Sequence, residues 1–278
     1  MNAKKIIPMA MIITVSFFVT VSTSIKVWAK DNITALEVME KMDNRDDGQT
    51  MGSDITMVLV NKKSQKRIRK IKTISKDYGK DTKKIIFFLS PADVKNTAYM
   101  SFDWNDTAKE DDSWLYLPAL KKVKRIASSD KSSAFMGSDF SYSDINGITI
   151  ENWDYTFVKQ SVMVEGSDTW VIQGVPKDSK KKKVIDETGY LKSLMWIRKD
   201  NFMVVKAKYW VKKGHKIKFL KASDIKKIDG IWTACKMTMI TTAKGKVEHT
   251  TLLKISNVIY NKDIEDTRFT TLSMERGL

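Results

Sequence analysis

Few residues in this 278-residue chain have types and spacings that could do chemistry. Its two histidines, His215 and His249, stand 34 positions apart, beside Gly214 and Glu248, in segments that read as exposed strand or turn. No HExxH, CxxC, GxSxG, P-loop or paired dinucleotide glycines occur, so the usual metal, nucleophile and phosphate constellations are missing. Ser138, Asp139 and Asp144 are what is left for a hydrolase. The same residue types suit turns, where side-chain oxygens bond nearby backbone N–H groups. Cys235 is the only cysteine, which rules out an intrachain disulfide, and it reads as a small buried apolar residue. These residues predict no enzyme, no cofactor and no metal.

A different segment carries the information. An apolar strand from Trp114 to Leu117 breaks at Pro118 and is followed by a basic strand from Lys121 to Ile126. The next twenty residues are rich in Ser, Asp and Gly, yet they hold Phe135, Met136, Phe140 and Tyr142. A loop this long within a strand-rich chain is either functional or disordered. Disordered segments are poor in large apolar residues, so the segment reads as a flap that closes over something.

The chain resembles the LolA-like family of outer-membrane lipoprotein-sorting proteins, often found with membrane exporters of the resistance–nodulation–division (RND) type. The resemblance rests on Tyr116-Leu117-Pro118-Ala119-Leu120, Lys122-Val123-Lys124-Arg125-Ile126 and Phe135 through Tyr142. It extends to Arg45-Asp46-Asp47-Gly48 ahead of Ser53–Met57, and to Asp144 with Trp153-Asp154-Tyr155. It implies an unclosed antiparallel β-barrel with a few short helices over its mouth, holding acyl chains.

The elements that must position such a flap are strands. Helical period is clear only between Asn32 and Asn44, where Ala35, Leu36, Val38, Met39 and Met42 make one apolar face and Asp31 or Asn32 can cap. From Met51 to Tyr260 the period is two, as in Val205, Ala207, Tyr209 and Val211 against Lys206, Lys208 and Lys212. That is antiparallel sheet with one dry and one wet face. Turn signals about every ten residues give eleven or twelve strands in meander order, either packed as a sandwich or curled into a barrel. The resemblance favours the curled, open sheet.

Lys4 and Lys5 precede an apolar run from Ile6 to about Val21, and Val27-Trp28-Ala29 offers a small-residue cleavage site. This predicts a cleavable signal peptide over 1–29 and an exported, periplasmic domain over 30–278. No later run reaches the roughly 18 apolar residues of a membrane helix. The chain after Ala29 keeps 46 basic and 33 acidic residues, a net charge of +13. An exported chain rarely meets nucleic acid, so the basic partners to consider are an anionic membrane surface or an acidic protein. Scattered lysines also keep sheet surfaces soluble and edges unattractive to other strands. Lys180, Lys181, Lys182 and Lys183 read as a solvated hairpin tip or a docking knob, and Lys121, Lys122, Lys124 and Arg125 as a second basic patch.

One curved sheet with short helices has little to cover so wide a dry face, and a large apolar concavity is a binding site or a liability. The alternation predicts Met57, Leu59, Met100, Phe102, Trp104, Trp196, Tyr209, Met237 and Met239 on that face. Two chains of about sixteen carbons carry a gross hydrophobic term of roughly 25 kcal/mol, and net affinities saturate near about 18–21 kcal/mol. A carrier that must release its cargo should therefore bury only part of the chains, under a movable cover. Phe135, Met136 and Phe140 are expected to turn into the cavity, with Gly137 bending the backbone between them. The expected function is a carrier of lipid or lipoprotein acyl chains, with an RND-type exporter as its implied partner. A non-carrying adaptor of that exporter, using the sheet only as scaffold, is the alternative.

Overall fold

The structure, a computed structural model, describes residues 33–106 and 108–278, so the expected signal peptide over 1–29 lies outside the described residues. Alternation becomes thirteen strands, one or two more than the turn signals suggest. They are β1 (Thr50–Asn61), β2 (Lys66–Tyr78), β3 (Asp81–Ser90), β4 (Ala98–Asp103), β5 (Asp112–Leu117), β6 (Lys122–Arg125), β7 (Trp153–Val164), β8 (Ser167–Pro176), β9 (Tyr190–Arg198), β10 (Val204–Val211), β11 (Lys216–Ile228), β12 (Ile231–Ala243) and β13 (Lys246–Tyr260). All belong to one antiparallel sheet in the order β6-β5-β4-β3-β2-β1-β13-β12-β11-β10-β9-β8-β7. The sheet does not close. Its edges are β6 and β7, and the chain between them, residues 126–152, is the segment read as a flap.

Local turn chemistry fixes much of this register. Glu165-Gly166, Asp229-Gly230 and Lys244-Gly245 each place two successive residues at positive φ, the backbone that a tight two-residue hairpin demands. Inward positions follow from pairing. Met57 lies opposite Leu253, Leu253 opposite Met237 and Met237 opposite Ala222. Leu220 lies opposite both Met239 and Ala207, and Tyr209 opposite Lys218. On the other side Ile71 faces Phe88 and Ile86 faces Tyr99.

Helix α1 (Ala35–Asp43) buries Ala35, Val38 and Met39 against Ile172, Met195, Ile197 and Ala207. Its N-cap is Thr34, not Asp31 or Asn32, which lie outside the described residues. The Thr34 hydroxyl accepts from the Glu37 N–H at 3.2 Å, and the Glu37 carboxylate accepts from the Thr34 N–H at 2.7 Å. That reciprocal box satisfies two N-terminal donors at once, which a lone Asn cannot do.

Two expectations are corrected. The lysine run is not a hairpin tip, because Lys181–Thr188 forms helix α3, with Val184 buried and Gly189 closing it in the left-handed region at φ 75°. Lys182 pairs with Asp186 and Lys183 with Glu187, four residues on, a helical spacing that the charge run obscures. The second correction concerns the outer face of β4. Helix α4 (Thr271–Arg276) and Phe269 pack there with Met274 on Ala98, Met100, Ile85 and Phe87. Both faces of β3 and β4 are therefore dry, and alternation between Tyr99 and Met100 does not separate core from solvent.

Candidate functional site

The flap is built from short pieces that a Ser- and Asp-rich sequence specifies locally. Single 3-10 turns occupy Ser128–Asp130 and Phe135–Gly137, and helix α2 spans Tyr142–Asn146. Ser141 caps α2, its hydroxyl accepting from the Asp144 N–H at 3.0 Å while Asp144 accepts from the Ser141 N–H at 2.8 Å. Gly137 takes φ 74° immediately after Met136 at φ 49°. The reversal brings the Phe135 N–H to 2.7 Å from the Phe140 carbonyl. Phe135 and Phe140 then point the same way, into the sheet.

They arrive on the inner face. Phe135 is 1% and Phe140 3% exposed, in one cluster with Met57, Leu59, Ile71, Phe88, Tyr99, Met239 and Leu253. The Phe135 ring meets those of Tyr99 and Tyr142 edge-on at 5.3 Å each, and Phe88 at 5.9 Å, favourable aromatic geometry. Met136 packs partly buried on the same cluster, and Gly137 stays exposed.

Polar ties hold the flap to strands across the width of the sheet. Asp139, 4% exposed, accepts from Thr241 Oγ1 at 2.5 Å and Thr251 Oγ1 at 2.7 Å, and sits 2.6 Å from His249 Nδ1. Its own N–H donates to Thr251 Oγ1 at 2.9 Å. The Thr hydroxyls bond the carboxylate and not the imidazole, so the cluster fastens strands to flap and does not line up a nucleophile. Both Asp144 oxygens accept from the Tyr190 hydroxyl at 2.8 Å, with Lys218 Nζ at 3.4 Å. Lys84 Nζ donates to the Ile145 carbonyl at 2.7 Å, Tyr99 to Asn146 Oδ1 at 2.6 Å, and Arg69 to the Met136 carbonyl. One segment of twenty residues thus bonds to β2, β3, β4, β9, β11, β12 and β13, which requires the sheet to curl around it.

The nine residues expected on one dry face divide between two. Met57, Leu59, Met237, Met239 and Tyr209 belong to the inner cluster or pack on it. Met100 and Phe102 lie in the outer cluster beneath α4, and Trp104 stacks edge-on against Phe102 at 5.8 Å. Trp196 pairs with Lys206 and Val171, one register position away from inward-facing Met195 and Ile197. In β9 the run Leu194-Met195-Trp196-Ile197 is apolar at every position, so its parity is not visible in the pattern. The two basic segments are exposed apart from half-buried Lys183, and α3 packs beside Ser128–Asp130, just after β6. They flank the sheet's open side.

Sequence reasoning missed the role of His249, Thr241 and Thr251. A signal was present, since these polar residues occupy inward positions on strands whose neighbours at the same parity are Met239 and Leu253. It also missed a charged group at one end of the interior. Burial and then neighbouring Asp111 push the Asp103 carboxyl up to about 7, against the pull of Lys84, itself pushed down by burial. Burial also raises Asp43 and Asp47. Lys84 is attracted by Asp103, Asp47 and Asp77, Asp111 pairs with Lys131 at 3.4 Å, and Asp43 and Asp47 are exposed to solvent.

A family model described as an uncharacterized protein matches residues 80–276. The chain is 32% identical to a DUF1329 family protein from Desulfovibrio piger, covering 86% of this chain and 97% of that one at a TM-score of 0.77. It is 30% identical to a candidate outer membrane lipoprotein-sorting protein domain from Vibrio parahaemolyticus, covering 87% and 98% at a TM-score of 0.76. A LolA superfamily protein from Nitrosomonas europaea shares the fold at 18% identity, covering 87% and 99% with a TM-score of 0.65. No curated protein matches the chain.

The raised Asp103 gives a pH test. Its folded pKa lies above the unfolded value, so native stability is favoured below the unfolded pKa and lost as pH rises through about 7. Asp103→Asn mimics the protonated form at every pH. Thermal melts should show the variant gaining more stability over the parent at pH 8 than at pH 5, and little or nothing below about pH 4. An equal shift at both, or a larger one at pH 5, would contradict the assignment.

Proposed function

The chain belongs to the DUF1329 family, of LolA-like outer-membrane lipoprotein-sorting proteins, and from that premise we propose that it is a periplasmic carrier that shields acyl chains inside its unclosed sheet. The observation that carries this reading is what covers the inner face. Among the described residues no second sheet lies over Met57, Leu59, Met237 and Met239; the chain's own flap does, with Phe135, Met136 and Phe140 seated where an acyl chain would pack. In this conformation the flap is packed inward. Cargo enters as the flap swings out, and flap side chains refill the space as cargo leaves, so neither state exposes a large apolar surface to water.

Unbranched methionines suit such a site, because their thioethers repack around chains of different length. In this reading the acyl-contacting residues are Met57, Leu59, Tyr209, Met237 and Met239, with Ile71, Leu220 and Leu253 added from their inward register. The exposed lysines of β6 and α3 guide the open side toward anionic headgroups, with delivery from an RND-type inner-membrane exporter. Export through a cleavable 1–29 peptide belongs to the same reading. The adaptor alternative draws on one observation: Phe135 and Met239 are each 1% exposed, the burial of a permanently filled core.

The flap's strongest tie separates the two. Hydrogen bonds to a charged group contribute about 1.5–3 kcal/mol, so Asp139→Asn should raise the open population by roughly ten- to a hundredfold. Apparent affinity for a fluorescent fatty-acid probe scales with that population. A carrier should therefore bind the probe, and the variant should bind it roughly ten- to a hundredfold more tightly, with faster hydrogen exchange confined to 128–147. Absence of probe binding in both proteins would leave the adaptor.

The basic segments make a separate expectation. Binding to phosphatidylglycerol vesicles should fall when Lys121, Lys122, Lys124, Arg125 and Lys180 to Lys183 become Gln, and should weaken steeply with salt because exposed charges are screened. Binding indifferent to both changes rejects a role for these residues.

A further inference from the structure

On the outer face of the sheet, lysines and aromatic rings interleave around β10. Ala207 and Tyr209 turn inward, so Lys206, Lys208 and Trp210 turn outward. Antiparallel pairing lays each of these three beside an outward residue of β9 or β11. Trp196 and Lys221 flank Lys206, Phe219 neighbours Lys208, and Lys192 neighbours Trp210. Strands β10 and β11 are paired on both sides, so their lysines guard no free edge. Nor is this the mixed-sign surface that keeps a domain soluble. Among the described residues Glu165 pairs with Lys221, and Lys192, Lys206 and Lys208 have no carboxylate partner.

The ammonium groups converge on rings instead. Lys192 Nζ stands 4.2 Å and Lys208 Nζ 4.5 Å from the Trp210 ring centre, and Lys208 Nζ 5.6 Å from that of Phe219. Each contact is favourable as a cation–π pair, yet together they gather two like charges on one indole with no counter-ion. A phosphate beside them relieves that repulsion. Lys192, Lys206 and Lys208 are half-buried, which lets their stems cover apolar surface while the charged heads stay in water. Phe219 remains 39% exposed among them.

We propose that this outer face of β9–β11 docks on an anionic bilayer, its ammonium groups meeting lipid phosphates and Trp210 and Phe219 settling at headgroup depth. The charges are spread over strands about 4.8 Å apart on an open sheet face. That layout matches an extended array of phosphates, where a single small anion would need donors turned into a pocket. Aromatic side chains suit the headgroup layer because one layer offers them apolar and polar surroundings together. An acidic polypeptide would use the charges and leave the rings uncovered. The surface is separate from the lysines of β6 and α3 and from the flap-covered interior, and it stands whether or not acyl chains are carried.

The test is sedimentation of the mature protein with mixed phosphatidylglycerol–phosphatidylcholine vesicles and with phosphatidylcholine vesicles alone. Lys192→Gln combined with Lys208→Gln should weaken binding to the anionic vesicles by roughly tenfold or more. Lys62→Gln combined with Lys63→Gln, an equal loss of charge in the exposed β1–β2 turn, should have a much smaller effect, because charges beyond a Debye length are screened. Brominated phosphatidylglycerol should quench the tryptophan emission of the parent more than that of Trp210→Phe. The proposal is overturned if the two double variants bind alike, if neutral vesicles bind as well as anionic ones, or if Trp210→Phe leaves the quenching unchanged. Saturable binding of poly-aspartate without binding of vesicles overturns it too, and identifies an acidic protein as the partner. The thermal transition and acyl-probe binding of the Lys192→Gln, Lys208→Gln variant should match the parent's, which separates failure of this surface from failure of the carrier reading.

Discussion

Asp139 is a carboxylate in a dry place, and a charge there is tolerable only when fully hydrogen-bonded. Thr241, Thr251 and His249 supply that, each from an inward position on β12 or β13 that would otherwise carry an apolar residue. The register of two central strands and the position of a loop some hundred residues away in sequence are therefore set by one group. Slip β12 by one residue and Thr241 turns to the other face; slip β13 and His249 and Thr251 turn instead. Phe135 and Phe140 flank this anchor in the chain, and their burial follows from where it holds the loop.

The same arrangement makes the cover reversible in principle. An interior closed by a second sheet would need its whole register broken to open. Here the covering segment belongs to the connection between the two edge strands, and no strand pairing holds it to the sheet. Its attachments are side-chain bonds to Asp139, Asp144 and Asn146, carbonyls capped by Lys84 and Arg69, and the packing of Phe135, Met136 and Phe140 on the inner apolar cluster. Such polar bonds have modest net value because water can replace them once the site is wet. The solvent-accessible carboxylates around Lys84 at one end give water a place to begin.

Much of the fold was legible because alternation is a strong signal wherever one face is wet. In β10 lysines alternate with Val205, Ala207 and Tyr209, and the structure follows that pattern. The signal failed where both faces are dry. Met100 and Phe102 alternate with Tyr99 on a strand covered by the flap on one side and by α4 on the other, and nothing within β4 says which face is which. Trp196 sits in a run with no polar position to fix its parity. Helix α3 was hidden because four lysines suggest a solvated tip, although Gly189 and the four-residue spacing of Lys182 and Asp186 mark a helix end and a helix face. The flap's apolar residues were readable as inward-facing from composition alone. Its anchors were not, since an Asp that caps a turn and an Asp that reaches across a barrel look the same in sequence.

The central claim is that the flap occupies the place of an acyl cargo. Native mass spectrometry of the full-length chain, exported and purified from the periplasm without detergent, tests it most directly. The account requires a fraction of the protein to carry adducts whose masses match acyl-chain lipids or lipopeptides, released on mild activation to leave the bare mature chain. A single ligand-free species that stays ligand-free after incubation with phospholipid vesicles would contradict it.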